Sequence, residues 1–228
     1  IITIGLDIES AKKAIELAEK HSGIWAGIGI HPQLSKGVQK EDIEKLVELA
    51  GSPRVVAIGE LGLDYYRDYS PRQDQMKALK WQLEAAKNLR LPVIIHCREA
   101  QEDMIPILRE WSGSFQMPEG RPRGVLHCFG RDEATAGNYI EMGFYISVGG
   151  YIGYPSSARL RETLERIPLD RLVVETDCPF LPPQKYRGKR NEPAYVLYTL
   201  QALAEIKRVS VEEAARQTTG NAVRLFNL

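Results

Sequence analysis

The sequence has no apolar run approaching the ~20 residues that a membrane-crossing helix needs, so it offers no candidate span. It has no excess of either charge. Thirty Lys and Arg balance thirty Asp and Glu, so the overall balance gives no sign of nucleic-acid binding, which would have to rest on a local basic patch. Cysteine is scarce. Cys97, Cys128 and Cys178 are odd in number, form no CxxC pair and each follow an apolar run, a usage that predicts reduced thiols in a cytoplasmic protein. There is no initiator Met and no signal peptide; the chain opens on Ile1-Ile2-Thr3-Ile4-Gly5, which reads as the middle of a domain. No linker, low-complexity segment or domain break interrupts residues 1–228, so a single domain is expected.

What is present is an alternation. Short runs rich in β-branched residues stand at 1–5, 24–30, 55–59, 93–95, 125–126, 144–148 and 172–174. They are apolar without a period of two, as strands buried on both faces of a parallel sheet are. Between them lie helical patterns. Ala11, Ala14, Ile15 and Ala18 make one apolar stripe, and Met76, Leu79, Leu83 and Ala86 make another behind Ser70-Pro71, read as an N-cap with Pro at the first helical position. Residues 41–50, 132–142, 192–207 and 211–226 are further helix candidates. Repeated βα units give an open doubly wound sheet or a closed barrel. An open nucleotide-binding sheet would carry a glycine-rich loop after its first strand, and the turn here is Gly5-Leu6-Asp7. Seven strands are one short of the eight of the common barrel, which predicts either an overlooked strand or a first unit that precedes Ile1.

The chemistry-bearing residues stand where these strands end. Run 24–30 leads into His31-Pro32, 55–59 into Glu60, 93–95 into His96, 125–126 into His127, and 172–174 into Glu175-Thr176-Asp177. The remaining histidine, His21, ends a helix. Barrel enzymes build their sites at the strand C-termini, so these residues are expected to converge in one cavity. Imidazoles and carboxylates from separate strands suit a divalent cation. Glu60 has two oxygens with which to bridge two ions, and Asp177 can be a ligand, a general base, or both. His31 belongs to the site or to a structural His-Pro turn; Asp64 caps a loop or contributes directly. Strand alternation would turn Cys97, Cys128 and Cys178 away from the site as packing residues. Arg98, and the cluster Lys185, Tyr186, Arg187, Lys189 and Arg190, either hold phosphates and a base or form a solvated face. Gly149-Gly150-Tyr151 allows close approach of a ligand or a tight turn.

At these positions the sequence resembles the TatD family of metal-dependent hydrolases. The resemblance rests on Gly29-Ile30-His31-Pro32, Gly59-Glu60-Leu61-Gly62-Leu63-Asp64-Tyr65, Pro92-Val93-Ile94-Ile95-His96-Cys97-Arg98, His127-Cys128-Phe129, Ser147-Val148-Gly149-Gly150, Glu175-Thr176-Asp177-Cys178-Pro179 and Arg190-Asn191-Glu192-Pro193, in order along the chain. It implies an α/β fold of the TIM-like (β/α) barrel type and deoxyribonuclease activity that trims single strands from the 3′ end. It also implies divalent metal ions, two of the Mg, Mn or Zn kind, and DNA or another nucleic acid as the partner. Glu60 would bridge the ions, His96 and His127 would bind one, Asp177 the other, and His31 would lie beside the phosphate. Arg98, Tyr186, Arg187 and Arg190 are the substrate-binding candidates. No obligate protein partner is evident. One departure stands out. The family's first strand carries a His-x-His pair that is absent here, so the first βα unit, roughly 30 residues, is expected to be missing before Ile1. Hydrolysis of a small ester, amide or phosphate is the competing enzymatic reading; a catalytically degenerate binding or scaffold relative is the other.

Overall fold

The apolar runs are strands and the amphipathic stretches are helices. The computed structural model describes residues 1–67 and 69–228, which divide into two units, Ile1–Val125 and Leu126–Phe226.

In the first unit β1 (Ile2–Gly5), α1 (Ile8–Lys20), β2 (Trp25–Ile28), α2 (Lys40–Leu49), β3 (Val55–Asp64), α3 (Arg72–Leu89), β4 (Val93–Arg98) and α4 (Gln101–Gly113) follow one another. The four strands pair in parallel and in chain order. Helix α1 starts where the sequence provides a cap: the Asp7 carboxylate accepts the Ser10 amide at 2.7 Å, and Ser10 Oγ accepts the Asp7 amide at 3.0 Å. Its expected stripe Ala11, Ala14, Ile15 and Ala18 is buried. Ile30, Ile43 and Ala85 pack together under Val38 and Trp81.

Several boundaries differ from expectation here. Strand β3 does not stop at Gly59, and β4 does not stop at Ile95, so Glu60 and His96 lie inside strands. Helix α3 is capped by Pro71, whose backbone is extended at φ −55° and ψ 142°. Ser70 is therefore outside the helix. Its hydroxyl is needed elsewhere, donating to the Gln33 carbonyl at 2.9 Å and accepting the Lys36 amide at 3.0 Å.

The chain passes to the second unit in β5 (Gly124–Leu126). There α5 (Glu133–Glu141), β6 (Phe144–Val148), α6 (Ala158–Arg166), β7 (Leu172–Val174), α7 (Val196–Lys207) and α8 (Val211–Phe226) follow. Strands β6 and β7 are parallel, with Ile146 opposite Leu172 and Val148 opposite Val174. Buried Asn221 ties α8 to the entry of β7 by donating to the Leu169 and Leu172 carbonyls at 2.9 and 2.7 Å. Lys207 donates to three carbonyls at the end of α6, those of Leu164, Glu165 and Ile167, which have no partner within the helix. Leu200, Ala204 and Ala214 pack with Val174. Among the described residues, no helix is long and apolar enough to cross a membrane.

Candidate metal centres

Among the described residues, each unit carries one set of side chains that could hold a metal ion. In the first unit, one donor atom from each of His31, Glu60 and His96 lies within 4.8 Å of the others. Glu60 owes its place to a bulge. Ile58 pairs with Val93 but Leu61 pairs with Ile95, so β3 spends one extra residue there. The bulge is bracketed by Gly59 and Gly62 at φ +149° and +150°, where side chains are disfavoured. A Cβ at Gly62 would also run into the His96 carbonyl oxygen.

His96 is held from both sides. Its Nδ1 lies 2.7 Å from Glu60 Oε1 and its Nε2 lies 3.1 Å from Asp64 Oδ2. Asp64 is fully buried and accepts the Gln33 side chain at 2.6 Å and the Tyr66 and Arg67 amides at 3.0 Å each. Burial works to raise its pKa, but the hydrogen bonds from His96, Gln33 and the Arg67 amide outweigh it and hold the carboxyl well below the usual carboxylate range. With Nε2 donating to the charged Asp64, His96 Nδ1 faces a Glu60 oxygen 2.7 Å away. A divalent cation would suit that pair of donors. His31 is set differently. Its Nδ1 accepts the Gln33 amide at 3.2 Å, which leaves Nε2 as an N–H facing Glu60 Oε1 at 3.5 Å. Its ring packs edge-on against His96 at 4.6 Å.

Two glutamines of α3 support this set. Gln82 Oε1 accepts the Ile30 amide at 2.7 Å and its Nε2 returns to the Ile30 carbonyl at 3.1 Å. Gln75 pairs the same way with both backbone groups of Asp64, at 2.8 and 3.1 Å. Seven residues apart, they fall on one helical face and pin the backbone beside His31 and at Asp64.

In the second unit the set is His127, Cys128 and Asp177, again with one donor from each within 4.8 Å. Glu175 organises it. One of its oxygens accepts the Cys128 amide at 2.8 Å; the other accepts the Ser147 hydroxyl at 2.5 Å and faces His127 Nδ1 at 3.1 Å. With Nδ1 as the donor, His127 Nε2 is a lone pair facing Asp177 Oδ1 at 3.9 Å. That spacing suits a cation bonded to each at roughly 2.1 Å. Asn191, 2% exposed, locks the following loop by donating to the Thr176 and Phe180 carbonyls, both at 2.6 Å. Cys128 corrects the alternation argument. The strand ends at Leu126 and Cys128 adopts φ +48°, so its thiol joins the donors.

The phosphate and base candidates fare unevenly. The Arg98 guanidinium lies 3.8 Å from the Tyr66 ring centroid, and Arg187 lies 4.4 Å from that of Tyr154. Tyr186 stacks on Tyr195 at 4.1 Å with the planes 4° apart, so one of its faces is already covered. Arg190 is exposed. Gly150 makes its close approach to the chain's own Pro183 backbone, 2.9 Å from where a Cβ would stand. Sequence reasoning missed Gln33, Gln75, Gln82 and Ser147. It noted Glu175 only as a neighbour of Asp177, although a second carboxylate two residues away was a usable sign of a histidine-orienting partner.

Comparison with known proteins agrees with this donor chemistry. The family model described as TatD related DNase matches residues 1–227. An uncharacterized metal-dependent hydrolase of Bacillus subtilis, YabD, is 41% identical over all of this chain and 87% of its own length. The 3′-5′ ssDNA/RNA exonuclease TatD of Salmonella typhimurium is 33% identical, again over all of this chain and 87% of its own. The solved structure of the Escherichia coli TatD homologue YjjV superposes with a TM-score of 0.91 at 30% identity, covering 100% of this chain and 86% of that one. The fold class expected from the sequence, a TIM-like α/β hydrolase, is thus the observed one. The chain belongs to the TatD family of metal-dependent hydrolases.

Proposed function

We propose that this protein is a divalent-metal-dependent phosphodiesterase that shortens single-stranded DNA or RNA from the 3′ end. Its three cysteines, none in a disulfide, suit work in the cytoplasm. One observation carries the reading. In each unit a carboxylate ties back one nitrogen of an imidazole, Asp64 for His96 and Glu175 for His127, so that the other nitrogen faces a second carboxylate, Glu60 or Asp177. Paired imidazole and carboxylate donors of this kind fit Mg, Mn or Zn.

Glu60 and His96 would hold cation in the first unit, and His127 and Asp177 in the second. Bound ions, two in this reading, supply polarisation of a phosphoryl oxygen and a water of lowered pKa. Asp177, more exposed than Glu175, receives the proton of the attacking water. His31, which keeps its proton on Nε2 because Nδ1 accepts an amide, donates to a phosphate oxygen. Arg98, Arg187 and Arg190 neutralise neighbouring phosphates, and Tyr186 offers its uncovered face to a base. The name of the Salmonella relative supports the polymer and the polarity.

The test uses single strands labelled at the 5′ or the 3′ end, incubated with Mg, Mn, Zn or chelator. A ladder shortening from the 3′ end, with metal only, is expected. Strands left intact under every metal, beside turnover of a small ester or amide, would replace this reading with the small-molecule one.

A further inference from the structure

Tyr66 and Arg98 meet beside the first unit's metal-ligand candidates. Arg98 is the last residue of β4, two beyond His96, and strand alternation puts both on one face of the sheet. Its guanidinium lies 3.8 Å from the Tyr66 ring centroid. Among the described residues, no carboxylate forms an ion pair with it. Tyr66 is 56% exposed, yet its backbone is fixed. Its amide donates to Asp64 Oδ1 at 3.0 Å, while Asp64 Oδ2 holds His96 Nε2. A single buried carboxylate therefore sets both the His96 ring and the backbone from which Tyr66 projects. The pairing recurs three residues on: Tyr69, 62% exposed, has Arg67 5.8 Å from its centroid and 3.1 Å from its hydroxyl.

A surface Tyr–Arg pair adds little to a fold, so stability gives little reason to hold two large rings in solvent here. A ligand gives a better one. A cation covers one face of Tyr66 and leaves the other for stacking. Arg98, planar and without a carboxylate partner among the described residues, keeps its edge donors for a phosphate. We infer that Tyr66 and Arg98 form a nucleotide subsite in which the open Tyr66 face stacks on an unpaired base and Arg98 holds the adjoining phosphate. This rests on the phosphodiesterase reading for its substrate class. It goes further in making the base itself a source of affinity, by a sequence-tolerant contact. Tyr186, with one face against Tyr195 and its hydroxyl 3.1 Å from that of Tyr198, is less free to do this.

The experiment measures binding by fluorescence anisotropy in chelator, with a fluorescein-labelled oligothymidylate and an abasic strand of the same length. The wild type should prefer the base-bearing strand. Tyr66→Ala should weaken that strand by about 5- to 100-fold, the range alanine substitution gives for base–aromatic stacking, and leave the abasic strand unchanged. Tyr66→Phe should keep the preference. Arg98→Ala should weaken both strands and reduce the salt slope by about one. If Tyr66→Ala binds both strands as the wild type does, the subsite is refuted. Hydrolysis of the same oligothymidylate by the wild type with Mn separates the two claims. Base preference lost in Tyr66→Ala without any hydrolysis keeps the subsite and removes the phosphodiesterase reading. Hydrolysis with no effect of Tyr66→Ala does the reverse, and no binding of either strand overturns both.

Discussion

Replacing Glu175 with Gln separates orientation from ligation in the second unit. The carboxylate now serves three donors: the Cys128 amide, the Ser147 hydroxyl and His127 Nδ1. A glutamine has one acceptor oxygen and one donor group in the same space. If its NH2 faced the Cys128 amide, a backbone N–H would lose its partner, at about 1–3 kcal/mol. The oxygen should therefore stay with Cys128 and the NH2 turn toward Ser147 and His127. The serine hydroxyl can rotate to accept. His127 can accept only by moving its proton to Nε2, toward Asp177 Oδ1, where the metal would need a lone pair. Losing such an orienting partner costs about 10- to 100-fold in metal affinity. The metal-free fold should change by less, about 1 kcal/mol, because Cys128 and Ser147 stay satisfied. Zinc competition against a fluorescent indicator measures the first quantity and urea unfolding the second. A long-range proton–nitrogen correlation of the His127 ring reads the tautomer directly. Metal affinity equal to the wild type, or a proton still on Nδ1, would refute the reasoning.

Three further outcomes are expected. Glu60→Gln should lower turnover by at least ~100-fold, the scale of a single electrostatic stabiliser, while the metal-free thermal midpoint moves little; near-normal turnover at saturating metal would remove Glu60 from the chemistry. Gln82→Leu should destabilise the fold by about 2–4 kcal/mol, since two buried backbone groups of Ile30 at about 1–3 kcal/mol each are only partly offset by the added apolar burial; urea unfolding and hydrogen exchange at the Ile30 amide check this, and unchanged protection would contradict it. Burial and the hydrogen bond to Asp103 push the Tyr65 hydroxyl up to about 12. The folded state therefore keeps a proton that the unfolded chain loses near 10.0, and stability should fall as pH climbs through that window. Tyr65→Phe should remove that part of the slope; parallel stability-against-pH curves would count against it.

The strands were legible because a sheet buried on both faces leaves unbroken apolar runs, and the imidazoles and carboxylates beside them were legible with them. The boundaries were less so, for a definite reason. Gly59 and Gly62 look like strand-ending residues, yet they mark a bulge that lets β3 continue to Asp64 with Glu60 re-aimed within it. The glutamines of α3 were missed because a polar residue on a helix reads as a solvent face. Only partners 11 and 52 residues away in sequence make Gln75 and Gln82 part of the interior. Pro106 breaks the pattern of α4, and that helix was not foreseen.

The same distinction applies to the donor sets. A histidine beside an apolar run says that an imidazole is available but not which nitrogen it offers. That choice belongs to Asp64 for His96, to the Gln33 amide for His31 and to Glu175 for His127. Two of the three choices free a lone pair toward a carboxylate and one leaves a proton there, so residues of one type take two roles. In the proposed reading His96 and His127 serve as ligands because a carboxylate lies behind them, and His31 serves as a proton donor because an amide does. Periodicity cannot report this, since each deciding group depends on where the fold turns the backbone. An Asp64→Ala variant should accordingly impair His96 as a ligand without altering the tautomer of His31, a difference that ring-nitrogen chemical shifts resolve.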